Sequence, residues 1–261
     1  MEVFAISVIL VPMKKFTCSI FILFIATFLY SNSFAKVADS TALKMKQDEN
    51  LLVYKKALTY NDMPTAAMAL VSYLTFGGDI NYTDSLAVVY YNMNNFGGSY
   101  KIATDSYGRN NKNVGALTLL ADISGQTNDA KTSLEWYEKL CPLNPIPFNY
   151  YQLATKQFSL ERKMECRQSL SKVLADSAAA VKQTVNLQIG QGYNETVPVL
   201  AAAYNMLGVM AFKENNIADA RKYYNAALRV FPEFAIAKQN IEAMNKPAGS
   251  PKKPAAGSKI K

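Results

Sequence analysis

The chain has 261 residues, half of them hydrophobic and 18 % charged, a composition that can bury a sizeable core. It contains no histidine, which removes Ser-His-Asp and Cys-His catalysis, histidine-bound zinc or iron, and the commonest general base at neutral pH. The formal charge is +8, but residues 246–261 supply five lysines and no acids, so the excess sits in one short segment and does not argue for nucleic acid.

In chain order, the first element is an export signal. Lys14 and Lys15 precede an uncharged apolar stretch, 16–30, and then Ser33-Phe34-Ala35. Small residues at the first and third of those positions suit signal peptidase, so residues 1–35 read as a signal peptide cleaved after Ala35. The stretch is shorter than the roughly 20 residues of a membrane span, and a retained anchor is the rival reading. Met13, just before the lysines, reads as the true start, with residues 1–12 a mis-assigned extension. Cys18 lacks the small-residue context of a lipoprotein box. The mature protein is therefore expected in the periplasm or outside the cell. Residues 36–46 read as a linker.

From residue 47 to 245 the pattern is helical and periodic, without a second composition zone. Five turn pairs punctuate it: Asn61-Asp62, Asn94-Asn95, Asn128-Asp129, Glu161-Arg162 and Asn215-Asn216. A small residue follows each, namely Ala66, Ser99, Ser133, Cys166 and Ala220, at steps of 33, 34, 33 and then 54 residues. The third unit ends on Trp136-Tyr137 and Asn144-Pro145, and the fourth opens with Tyr150, Leu153 and Ala154. Small groups at helix crossings allow axes to approach to about 8 Å, and Gly208 with Ala220, Ala121 with Ser133, and Ala154 with Cys166 supply them.

Between the fourth and fifth units lies an insertion at about 176–199. It begins with helix formers, and then Thr184, Val185, Leu187 and Ile189 alternate with Asn186 and Gln188, a strand pattern. Gly190, Gly192 and Asn194 supply a turn, so an irregular loop or small hairpin is expected, covering one mouth of a groove near Phe158 and Phe212.

The fifth unit, 201–234, is the clearest. Tyr204, Leu207, Gly208 and Ala211 recur at helical spacing on one helix; Ala220, Tyr224 and Ala227 do so on a second, and Pro232 closes the unit. This unit resembles the tetratricopeptide repeat. The resemblance implies an all-α, right-handed α-solenoid of about five helix pairs, since one pair cannot bury its own apolar face. Residues 234–244 follow as a C-terminal capping helix, with Phe234, Ala237 and Ile241 inward and Lys238, Gln239 and Glu242 toward water. Residues 246–261 read as a disordered Lys/Pro-rich tail. The tail is read as solvated, with loose attraction to anionic envelope components as the alternative.

By the same resemblance the first helices line a concave surface that contacts a partner protein or peptide. Its lining residues would be Asp84, Val88 and Tyr91 in the second unit, Phe148, Tyr151 and Phe158 in the fourth, and Asn205, Val209, Phe212 and Lys213 in the fifth. The Lys-Asn carboxylate clamp of some family members is not reproduced across neighbouring repeats.

No catalytic residues, cofactor or metal site are expected. There is no phosphate-binding GxxxxGK[ST] and no GxGxxG opening a helix. Cys141 and Cys166 form no Cys-x-x-Cys pair and read as buried thiols. The acid pairs Asp79 with Asp84 and Asp122 with Asp129 sit among turns and exposed faces, with nothing local to raise a pKa. The chain is therefore expected to be a non-enzymatic interaction scaffold or adaptor in the bacterial cell envelope. The alternatives are a glycan-binding, uptake-associated helical-repeat protein and, third, an enzyme using carboxylates. A glycan binder would want exposed Trp platforms, and the single Trp136 falls on a second helix, facing away from the groove.

Overall fold

The computed structural model describes residues 39–190 and 192–245. The signal peptide, the start at Met13 and the tail 246–261 lie outside the described residues. Contacts divide the chain into two compact bodies, one ending at Tyr82 and one beginning at Thr83.

The first body holds α1 (39–59) and α2 (Met63–Thr75). Residues 39–46, expected as linker, are helical, because Ala42, Leu43, Lys44, Met45 and Lys46 are all strong helix formers. The amide of Gln47 on α1 donates to the Phe76 carbonyl after α2 at 2.7 Å. Tyr54 and Tyr73 meet the Tyr82 ring edge-on, at 6.2 and 5.1 Å. Such contacts add about 0.5–1.5 kcal/mol each beyond area burial.

The second body contains α3 (Tyr82–Asn92), α4 (Phe96–Arg109), α5 (Val114–Gln126), α6 (Ala130–Leu143), α7 (Pro147–Ser159) and α8 (Lys163–Ala175). After these come α9 (Ser177–Ala180), β1 (Thr184–Ile189), β2 (Tyr193–Pro198), α10 (Val199–Lys213), α11 (Ile217–Val230) and α12 (Ala235–Asn245). The described helices thus form five antiparallel pairs, α1/α2, α3/α4, α5/α6, α7/α8 and α10/α11, with α12 following the last.

One turn geometry is used five times. Asn61, Asn94, Asn128, Glu161 and Asn215 all adopt left-handed φ, between 55° and 61°. Asparagine tolerates this conformation because its short side chain hydrogen-bonds locally. The next residue caps the second helix: Asp62, Asn95, Asp129 and Asn216 each accept from the backbone N–H three residues on, at 3.0–3.2 Å. Glu161-Arg162 departs from this at both positions. Glu161 takes the left-handed φ without an Asn side chain, and Arg162 makes no capping bond. Arg162 instead pairs with Glu138 and Glu165. Glu161→Asn is accordingly expected to stabilise the protein by about 1 kcal/mol, read as a higher midpoint in urea unfolding.

The residue four places after each cap is fully buried in all five pairs: Ala66, Ser99, Ser133, Cys166 and Ala220. The two serines use their place between helices, donating to the carbonyls of Ala87 and Ala121 at 2.8 Å. Gly208 is required by close approach, since a Cβ there would lie 2.5 Å from Cε1 of Tyr224.

The insertion folds as a hairpin. β1 pairs antiparallel with β2 from Thr184↔Pro198 to Ile189↔Tyr193, and Gly190 and Gly192 hold positive φ in the turn. Its inner face, Val185, Leu187 and Val197, is buried in the core with Leu170, Val173, Val199 and Phe234. Its position differs from expectation. Gln183, leading into β1, accepts from the Phe148 N–H at 2.7 Å, and Glu195 on β2 accepts from the Ala235 N–H at 3.1 Å. The hairpin therefore lies against the N-terminal ends of α7, α10 and α12, whereas Phe158 and Phe212 sit at the C-terminal ends of α7 and α10. The reason is connectivity. α8 runs antiparallel to α7, so the chain leaving α8 emerges where α7 begins.

α12 closes the array through fully buried Phe234 and Ala237 with half-buried Ile241, while Lys238, Gln239 and Glu242 are exposed. Glu195 places a carboxylate on its N-terminal amide, where the helix dipole favours negative charge. Glu195→Ala is expected to cost about 1 kcal/mol, seen as faster amide exchange confined to α12.

Candidate functional site

The turn register aligns one position across the first helices. Tyr91, Gly125, Phe158 and Phe212 each lie eight residues before the buried small residue of their unit. Three are aromatic and half-buried; Tyr91 packs edge-on to Phe96 at 5.5 Å. At the fourth, Gly125 leaves a gap that the neighbouring repeat fills: Lys156 Nζ lies 3.1 Å from where a Cβ would be. Next to Phe212, the exposed Lys213 carries its ammonium 4.5 Å from the Phe158 ring centroid. Sequence position alone did not mark Lys156. Yet a glycine in an aromatic register was a readable signal that something else fills the space.

Behind the gap is a buried polar network. The Tyr137 hydroxyl donates to Asp122 Oδ1 at 2.6 Å. Burial raises the Asp122 carboxyl above its ordinary value, while Tyr137 and Lys156 act to lower it. Lys156 is lowered by its own burial, with Asp122 opposing. Tyr91 is raised by burial and by Asp122, against a hydrogen bond with Gln126. The expectation that nothing perturbs Asp122 is therefore corrected: packing of α6 and α7 onto α5 covers it, which helix-face position within α5 does not reveal. Asp129 behaves oppositely, lowered because it caps α6 at the Thr132 N–H.

The pH consequence has a definite sign. A carboxyl whose folded pKa is raised loses stability as pH rises from its ordinary value through the raised one. Lys156→Met removes the cation that restrains this rise. The variant is expected to lose about 1–2 kcal/mol at pH 7.5 and less at pH 5, measured by denaturant unfolding at both.

The expected lining residues divide into two groups. Tyr91, Val88, Phe158, Phe212, Val209 and Lys213 retain exposed or half-exposed surface. Asp84, Phe148, Tyr151 and Asn205 are committed to the fold. Asp84 accepts from Ser106 and, at 2.7 Å, from Asn113, tying α3 to α4 and to the cap of α5. Phe148 packs against the core beside the hairpin. Tyr151 is only 4 % exposed, and burial pushes its hydroxyl upward. Asn205 is buried and accepts from Asn240 of α12 at 3.0 Å. Asp84, Phe148 and Tyr151 lie in the N-terminal halves of their first helices, and Asn205 lies at the middle of α10, where α12 covers it.

Trp136 is no free platform. Its ring packs edge-on to Tyr107 at 5.2 Å, and Lys139 Nζ sits 4.2 Å from its centroid. Cys141 and Cys166 are free and buried, each thiol pushed up to about 12 by burial, so neither is a nucleophile near neutral pH. Among the described residues no group of three or more Cys, Asp and Glu side chains could hold a metal, and no helix is long and apolar enough to cross a membrane.

The tetratricopeptide repeat profile matches residues 201–234. The chain carries a tetratricopeptide repeat. Solved structures extend the likeness in fold from that repeat to most of the helical array. A crystal structure of MamA protein superposes with a TM-score of 0.57 at 13 % identity, covering 71 % of this chain and 91 % of that one. MamA 41-end from Desulfovibrio magneticus RS-1 gives 0.58 at 11 %, covering 73 % and 97 %. A tetratricopeptide repeat protein from Parabacteroides merdae ATCC 43184 gives 0.60 at 12 %, covering 77 % and 72 %. At such identity the likeness establishes the all-α solenoid fold alone. No curated protein matches the chain in sequence.

Proposed function

We propose that this chain is a non-enzymatic scaffold that binds a partner protein or peptide on the concave face of its tetratricopeptide array, in the bacterial cell envelope. One observation carries the reading: the row of half-exposed aromatics along the first helices, Tyr91, Phe158 and Phe212, ending in exposed Lys213. Aromatic side chains on a rigid backbone are the anchors protein interfaces use, and Lys213 adds a charge at the rim. The envelope setting rests on the N-terminal sequence, with Lys14-Lys15, the apolar stretch and Ala35. The fold supports binding as the general mode of action, while partner choice resides in this face.

Capture from an envelope fraction with wild-type protein and with a Phe158→Ala, Lys213→Glu double variant tests the site. The double variant is expected to lose, by tenfold or more, a partner that the wild type retains. Equal recovery by both proteins would remove the aromatic row from the binding face. N-terminal sequencing of the mature protein should begin at Lys36.

A further inference from the structure

Three sulfur atoms converge between α8 and α10. Cys166 Sγ lies 3.9 Å from Met206 Sδ and 3.6 Å from Met210 Sδ. Met206 and Met210 are four residues apart on α10, so both side chains leave the same helix face and meet the one sulfur offered by α8. Cys166 and Met210 are buried, whereas Met206 is half-buried and reaches the surface.

The two edges that meet at Cys166 have the lengths of a ligand set. First-row metals bind sulfur at about 2.3 Å, and an ion at the centre of three such bonds needs sulfur–sulfur edges near 4 Å. Both Cys166 edges are within a few tenths of an ångström of that. The chemistry selects the ion. One thiolate and two thioethers are soft ligands, which favour Cu(I) over harder divalent cations. Charge agrees: a monovalent ion on one thiolate is neutral, while a divalent ion would leave a net charge buried among apolar side chains.

We propose that Cys166, Met206 and Met210 form a trigonal site for a single Cu(I) ion. Binding breaks the Cys166 S–H bond, forms a Cu–S bond and releases one proton, with no change of oxidation state. The released proton is the one the ligand must lose to bind as thiolate. The half-buried Met206 gives the ion its way in. This site is distinct from the partner face and does not depend on it.

Anaerobic titration of the protein with Cu(I) against bicinchoninate tests the proposal. Wild type is expected to retain one equivalent that Cys166→Ala lacks. That variant should fold, because Ala66 and Ala220 hold the same repeat position, and circular dichroism checks it. Met206→Leu and Met210→Leu should each weaken affinity at least tenfold, while Cys141→Ala leaves it unchanged. X-ray absorption should find three sulfur neighbours and no nitrogen or oxygen. Retention of copper by Cys166→Ala, or complete loss to the competitor by wild type, would overturn the assignment.

Discussion

Replacing Ala220 with Arg is expected to destabilise the C-terminal helices by about 3–5 kcal/mol. Ala220 is fully buried beside Ala211 and Tyr224, with Val209, Phe212, Ile241 and Met244 around it. An arginine there has no room for its stem and no carboxylate to meet its charge. The loss should appear as a fall in Tm of about 10 °C and as faster amide exchange across α10, α11 and α12. Ala220→Ser is the control. Ser99 and Ser133 occupy the equivalent position and donate to the facing carbonyls of Ala87 and Ala121, so a serine should bond the Gly208 carbonyl and cost under about 1 kcal/mol. An arginine variant with wild-type Tm would mean that α10 and α11 do not pack as described.

The second large effect is expected in the hairpin. Val197 is fully exposed to nothing but core, at 0 % accessibility, and packs with Val185, Leu187, Val199 and Phe234. Val197→Asp would bury an unpaired carboxylate and cost about 3–5 kcal/mol. Thr196→Asp, one residue away on the exposed face, should change stability by less than about 0.5 kcal/mol. Urea unfolding of both variants measures the contrast. A small loss from Val197→Asp would make the hairpin a surface ornament. The expected large loss makes it a structural plug at the N-terminal ends of α7, α10 and α12, and deleting it would then expose core instead of merely opening a groove.

The exposed half of the proposed partner face follows from the same asymmetry. In the fourth unit Phe148 and Tyr151 pack into the core that holds the hairpin, and in the fifth α12 takes up Asn205 at the middle of α10. At the C-terminal ends Phe158 and Phe212 stay half-exposed and Lys213 exposed, although Ile241 and Met244 of α12 join Phe212 on the cluster around Ala211 and Ala220. Binding energy should therefore concentrate along the row of residues eight before each buried small residue, and substitutions at Tyr151 should change stability before they change affinity.

Local chemistry made the repeat legible in the amino-acid order. An Asn that accepts left-handed φ, a capping Asp or Asn beside it and a small residue four places later mark four of the five second helices, and Glu161-Arg162 holds the same turn before the remaining one, α8, because these are demands a turn and a close crossing make on single residues. The strand alternation of 184–189 was readable for the same reason. Burial that depends on which repeats abut was not. Asp122 and Lys156 look like solvated helix residues until Gly125 opens a gap and the next repeat fills it. Nor can spacing show that Met206, Met210 and Cys166, drawn from helices 40 and 44 residues apart, meet at one point. Turn and crossing rules act within a few residues, whereas those meetings depend on how whole helices stack, and only the folded chain sets that.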